Sequence, residues 1–187
     1  MGKSAEYSKR QEGGATVFDV TPATPPKFVA AIGAGAIAVV IGLGIMSHMQ
    51  APALVMFALG GYAIWYGLKR DLRPNGYKEP ATFRVTPDAI EANGRIFKKD
   101  DIQRILIRNG ISGQDVSPGG GGIEMTVSGA QAAGMTYRAR VGTIANALSV
   151  ETGGKATIIA GGMDGTTAFG LLTDMSKILG LQYREFA

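Results

Sequence analysis

Few residues in this chain could carry chemistry, and their spacing fits no reaction. There is no cysteine, which excludes disulfides, thiolate catalysis and Cys-ligated zinc or iron–sulfur sites. The one histidine, His48, cannot build a His cluster for a metal, and any Ser-His-Asp triad would have to use it. Gly154-Lys155 has the Gly-Lys pair of a phosphate-binding P-loop. Ser149 stands where that loop needs Gly, however, and Ala156 stands where Ser or Thr would hold magnesium. Ser117 to Gly122 is Gly-rich but precedes a strand pattern rather than a helix, so it reads as a loop. Asp100-Asp101 has the charge for a cation, yet two adjacent acids on a turn are ordinarily solvated. The expectation is a non-enzymatic chain with no cofactor, no metal and no small-molecule substrate.

The basic residues are the remaining candidates. Arg95, Lys98 and Lys99 form one group, and Arg138 and Arg140 share a face in an alternating pattern. They could touch anionic lipid, each cation contributing about 1 kcal/mol near a charged surface. The net charge of +4 is spread along the chain, without the concentrated stripe expected of a nucleic-acid binder. Lys69, Arg70 and Arg73 follow Tyr62, Trp65 and Tyr66, the arrangement of an interfacial anchor.

What must position these groups is set by charge patterning. From Phe28 to Leu68, forty-one consecutive residues lack Lys, Arg, Asp and Glu. A spanning helix takes roughly 20 mostly apolar residues, so the run accommodates two spans, about 28–47 and 52–68. Ser47-His48-Met49-Gln50-Ala51 makes the turn, and Pro52 suits a first helical turn because its missing N–H costs nothing there. Lys3, Lys9, Arg10 and Lys27 precede the run and Lys69, Arg70 and Arg73 follow it, while the turn has no Lys or Arg. The positive-inside rule then puts both termini in the cytoplasm of a multi-pass inner-membrane protein. The run starts too late and is too long for a signal peptide. Ala34, Ala38 and Gly42 recur every four residues, as do Ala31 and Gly35. Such a small-residue stripe would serve self-association, or packing against Gly60, Ala63 and Gly67 of the second span. No acid or base lies within the spans, which argues against an ion pathway.

Around the run, residues 1–27 read as a mobile polar tail broken by Gly13-Gly14 and by Pro22, Pro25 and Pro26. Residues 69–79 read as a linker, and 80–187 as a soluble domain of ordinary size. Phe83 and Val85 alternate with Thr82, Arg84 and Thr86, and Asn93-Gly94 is a hairpin signal between Ala89-Ile90-Glu91-Ala92 and Arg95-Ile96-Phe97. Further strands are expected at Ile102–Arg108, at Ile123, Met125 and Val127, and at Met135, Tyr137, Ala139 and Val141. Leu148–Glu151 and Lys155–Ala160 flank Thr152-Gly153-Gly154, another hairpin. Asp164 can cap a closing helix whose apolar positions are Ala168, Leu171, Leu172, Met175, Ile178 and Leu179, ending at Gly180.

About seven antiparallel strands and one closing amphipathic helix resemble the pleckstrin-homology superfold, specifically the bacterial PH-like domains found beside paired transmembrane helices. Phe83-Arg-Val-Thr-Pro-Asp-Ala-Ile-Glu-Ala-Asn-Gly-Arg-Ile-Phe97 is the best local match, followed by a strand after Lys99-Asp100-Asp101-Ile102. The resemblance covers roughly residues 80–180 and is one of pattern. The fold class it implies is a membrane α-hairpin plus an α+β domain, a seven-strand barrel or sandwich closed by a C-terminal helix. The function it implies is a membrane-anchored adaptor or scaffold, often self-associating or part of a larger membrane complex. An anionic-lipid sensor using Arg95, Lys98 and Lys99 is the alternative, and an accessory subunit of a transport or secretion machine a further one. The phosphoinositide-binding turn of many PH domains corresponds here to Thr86-Pro87-Asp88, which has no base.

Overall fold

A computed structural model describes residues 3–112 and 129–181, with side chains in the second stretch described from residue 134. It is α+β with mostly antiparallel sheets. The chain divides into two compact units. One comprises Met1–Pro25, Arg73–Thr126 and Arg138–Ala187; the other comprises Pro26–Leu72 and Val127–Tyr137.

The larger unit is built on two antiparallel sheets. The first is a five-stranded meander of β1 (Glu6–Glu12), β2 (Ala15–Thr21), β3 (Ala81–Val85), β4 (Ala89–Ala92) and β5 (Arg95–Lys98), in that spatial order. The second holds β6 (Ile102–Asn109), β7 (Asn146–Thr152) and β8 (Lys155–Met163). Asn93-Gly94 and Gly153-Gly154 turn the chain with positive φ at both positions, the geometry whose twist matches paired strands. Along β3, Phe83 and Val85 face the core while Thr82 and Arg84 are exposed, as the alternation requires. Phe18, Phe83, Val85, Ile90, Leu148, Val150 and Ile159 fill one continuous core.

Three expectations are overturned. Residues 1–27 are not a mobile tail: β1 and β2 form a hairpin, and β2 pairs with β3 so that Phe18 lies opposite Phe83. Gly13 and Gly14, at φ 57° and 87°, are its turn, and Val17, Phe18 and Val20 are buried. The linker 69–79 is also structured at its C-terminal end. Tyr77, in a short 3-10 turn, is buried beside Gly110 and Gly161. The domain therefore does not begin at residue 80; it takes in strands from both sides of the apolar run. Finally, Met135 to Val141 is not a strand but part of α3 (Gly129–Thr143). Tyr137 and Val141 are buried while Ala139 between them is exposed, which is helical spacing. The strand expected at Ile123–Val127 and the Ser117–Gly122 loop lie outside the described residues. Eight described strands, rather than about seven, result.

The closing helix, α4 (Gly165–Leu179), has the expected ends. The Asp164 carboxylate accepts from the Thr167 N–H, and Gly180 stops the helix at φ 62°. Ala168, Leu171, Leu172, Met175 and Leu179 are its buried face. On the margin of that face Asp174 accepts hydrogen bonds from Tyr7 and Lys9 of β1. Partial burial pulls the Asp174 carboxyl upward, but these two bonds and the charges of Lys9 and Lys177 outweigh it and hold it below the ordinary carboxylate range. A depressed folded pKa adds stability above the unfolded value near 4, and that stability is lost as pH falls through the folded value. Asp174→Asn should therefore lower stability at pH 7 by at most about 1 kcal/mol. The gap in denaturant midpoint between variant and wild type should narrow as pH falls below about 4; a gap undiminished in acid would refute the assignment.

The smaller unit holds a helical hairpin, α1 (Val29–Ile45) and α2 (Gln50–Lys69), joined by residues 46–49, together with the start of α3. Its seam is glycine. Gly35 meets Gly60 so closely that a Cβ at Gly35 would lie 2.5 Å from the Gly60 carbonyl oxygen. Gly42 abuts Phe57, and Gly67 abuts Phe28 and Ile32. Gly35 and Gly42, like Ala53, Gly60 and Gly67, recur at intervals of seven and are the buried residues of their helices. The helix-packing stripe expected at Ala34, Ala38 and Gly42 is thus only partly realised. Gly42 lies in the seam, Ala38 is half-buried, and Ala34 is exposed because it sits one position off the seven-residue register.

Candidate functional site

The helix lengths are the reverse of those expected: the first has 17 residues and the second 20. Among the described residues only α2 is both long and apolar enough to cross a membrane; α1 rises about 25 Å. Neither is a buried core helix. Among the described residues, every exposed large hydrophobic apart from Ile96 and Met135 lies between Val29 and Leu68, including Val40, Leu43, Leu54, Leu59 and Trp65. A soluble surface scatters such residues singly, and a contiguous apolar patch marks an interaction surface.

The two ends of this hairpin differ. The turn end carries Met46, Met49 and the exposed His48. At the other end the Phe28 N–H donates to the Gly67 carbonyl at 2.9 Å, tying the entry of α1 to the exit of α2. Arg70, the C-terminal cap of α2, is held there from several directions. Its guanidinium lies 5.0 Å from the Tyr66 ring, 5.2 Å from Phe28 and 5.8 Å from Tyr137. Its carbonyl, one of the groups a helix end leaves without an intrahelical partner, accepts from the Tyr137 hydroxyl. Phe28 and Tyr137 also touch, at 4.9 Å between centroids. A cation at this end complements the negative end of the helix dipole, and the ring faces attract it as well. Around it, Tyr62 packs on Trp65 and on Tyr66, while Trp65 and Lys69 are exposed.

The anchor residues named from sequence therefore separate. Trp65, Tyr66, Lys69 and Arg70 share the end of one helix. Arg73 does not belong with them: it is 4% exposed in the other unit, where its guanidinium donates to the Ala23 carbonyl. Its charge serves the fold because the chain there turns into packed structure rather than a solvated linker. Sequence reasoning missed Phe28 and Tyr137. The first was visible as an aromatic at the start of the apolar run, whereas the second was hidden by its reading as a strand residue.

The basic candidates behave similarly. Arg95 and Lys98 are exposed on β5, an edge strand, and Lys99 is half-buried in the turn after it. Arg138 and Arg140 share no strand face, because they lie on α3. The rejected chemistry stays apart as well. Gly154-Lys155 occupies a β-hairpin turn, where the Gly154 N–H donates to the Gln103 side chain rather than to a phosphate cradle. Asp100 and Asp101 are exposed, and no group of three potential metal ligands occurs among the described residues. Comparison with protein-family models, with curated proteins and with solved structures finds no match to this chain.

Proposed function

We propose that this chain is a membrane-anchored, non-enzymatic adaptor. In this reading the α1–α2 hairpin lies in the bilayer of the inner membrane and the larger unit is a cytoplasmic PH-like domain that binds protein partners or further copies of itself. The observation that carries the reading is the outward apolar surface of the two helices, for which hydrocarbon is the simplest solvent. Chain connectivity supports the sidedness. Strands β2 and β3 flank the hairpin in sequence yet pair with each other, so both flanks must occupy one compartment. A two-helix crossing meets that requirement and a single crossing does not. Two sheets and a closing helix support the PH-like assignment, although the five-stranded sheet and the α3 insertion depart from the pattern that suggested it.

The absence of cysteine makes topology directly testable. A single Cys at His48 should react with a membrane-impermeant maleimide on intact cells, after removal of any outer barrier. A Cys at Ser8 or Asn93 should react only after lysis. Labelling of all three on intact cells, or recovery of the full chain in the soluble fraction after alkaline extraction, would refute the reading. Cross-linking in native membranes then tests the adaptor role, since a strictly monomeric and partnerless protein contradicts it.

One observation favours the lipid-sensing alternative. Ile96, the most exposed large hydrophobic residue described at 69%, sits between Arg95 and Lys98 on the β5 edge. An apolar tip flanked by cations suits an anionic membrane surface. Replacing Arg95, Lys98 and Lys99 by Gln in the full chain should then change the response to anionic lipid; an unchanged response removes this alternative.

A further inference from the structure

We propose that Arg70, fixed in its aromatic cradle, binds the phosphate of an anionic phospholipid at the end of the hairpin where the chain enters and leaves. This rests on the bilayer reading above. Three rings from three separate parts of the smaller unit, Phe28, Tyr66 and Tyr137, hold one guanidinium, and the Tyr137 hydroxyl fixes the main chain of the same residue. Among the described residues that guanidinium makes no hydrogen bond or ion pair, so its N–H donors have no protein acceptor. Arginine recognises phosphate through paired, charge-assisted N–H donors, and a guanidinium already immobilised loses little freedom on binding.

Charge and depth agree with this ligand. Between Pro26 and Leu72 the ionisable charges are Lys27, Lys69, Arg70 and the opposing Asp71, which has interactions of its own. Lys27 and Lys69 flank the site because the Phe28 to Gly67 hydrogen bond brings the two helix ends together. The C-terminal dipole of α2 and Asp71 both disfavour an anion, so three cations must outweigh them. Trp65 and Tyr62 belong at the depth of the glycerol and headgroup region. Arg70 lies five residues further along, about 7 Å toward the phosphates.

Trp65 is the chain's only tryptophan and is exposed one turn from the site, so it reports on neighbouring lipid. The full chain is reconstituted into bilayers containing brominated phosphatidylglycerol or brominated phosphatidylcholine, and quenching of Trp65 gives the relative association of the two lipids. The wild type should prefer the anionic lipid about fivefold, the scale of one favourable cation contact. Arg70→Gln should bring the ratio close to one, Arg70→Lys should keep an intermediate preference, and Lys27→Gln should keep most of it. Equal losses in Arg70→Gln and Lys27→Gln would assign the effect to diffuse charge and overturn the site. No preference in the wild type would overturn it too, while leaving bilayer insertion intact. Failure of either brominated lipid to quench Trp65 would instead refute the bilayer reading and this proposal with it. Suppression of the preference by millimolar inorganic phosphate would assign the site to free phosphate and overturn the lipid assignment.

Discussion

Deleting residues 1–25 should destroy the larger unit rather than trim it. The deletion removes β1 and β2, two of five strands in one sheet, and leaves β3 as a bare edge. It also uncovers Phe83, whose ring stacks on Phe18 at 5.3 Å. An exposed apolar edge strand is an aggregation site, so the shortened chain should be recovered aggregated. The single substitution Phe18→Ala tests the same contact more gently. Truncating a fully buried Phe costs roughly 3–5 kcal/mol, a large fraction of the roughly 5–15 kcal/mol that holds a domain together. Its melting midpoint should fall by about 10–20 °C in a circular-dichroism scan. A cooperative, soluble fold from residues 78–187 alone would show that the N-terminal strands are accessory.

The second large effect is expected at neighbouring glycines of α2 with opposite outcomes. At Gly60 an added Cβ would fall 2.7 Å from the Gly35 carbonyl oxygen and 2.8 Å from a Val39 methyl, whereas at Gly61 nothing lies within 4 Å. The Gly60 obstacle includes backbone, which cannot rotate away. Gly60→Leu should force the helices apart, and Gly35→Leu should do the same from the other side. Overpacking a tight interior typically costs 1–3 kcal/mol, and a leucine against backbone belongs at or above the top of that range. Gly61→Leu should be tolerated, since a helix gains from losing a glycine and the new side chain meets only surrounding solvent or lipid. Protease sensitivity and the thermal aggregation midpoint in detergent measure both. Equal behaviour of the Gly60 and Gly61 variants would refute the seam.

Local rules made much of the larger unit legible. Asn93-Gly94 and Gly153-Gly154 announced hairpins because few residues adopt positive φ twice in succession. Asp164 and Gly180 announced the limits of α4 because a helix end needs those groups. Gly13-Gly14 obeys the same turn rule, yet charges at Lys9, Arg10 and Glu12 and the nearby prolines suggested an unstructured tail. Those charges are instead what an edge strand carries on its open side. What no local rule could supply was the partner of β2, because β3 lies beyond the entire apolar run. Met135 to Val141 alternated by chance in a segment whose Ala-rich start favours helix, and tertiary burial of Tyr137 and Val141 decided the matter. The hairpin's seam was visible only as an excess of glycine. Which glycines face inward depended on a seven-residue register shared by both helices, and the four-residue stripe at Ala34 concealed it. Of the cradle around Arg70, the belt on α2 could be read from sequence, but its closure by Phe28 and Tyr137 could not.

The pairing of β2 with β3 also sets a timetable for synthesis. When Thr21 emerges from the ribosome, the first residue of its neighbour strand follows sixty residues behind it. At 5–20 residues per second the nascent hairpin waits roughly 3–12 s. During that interval Val17, Phe18 and Val20 have β1 beside them but lack β3, while the apolar run is being made. A chaperone that shields the first twenty-five residues at that stage would speed production of this protein more than one acting after release.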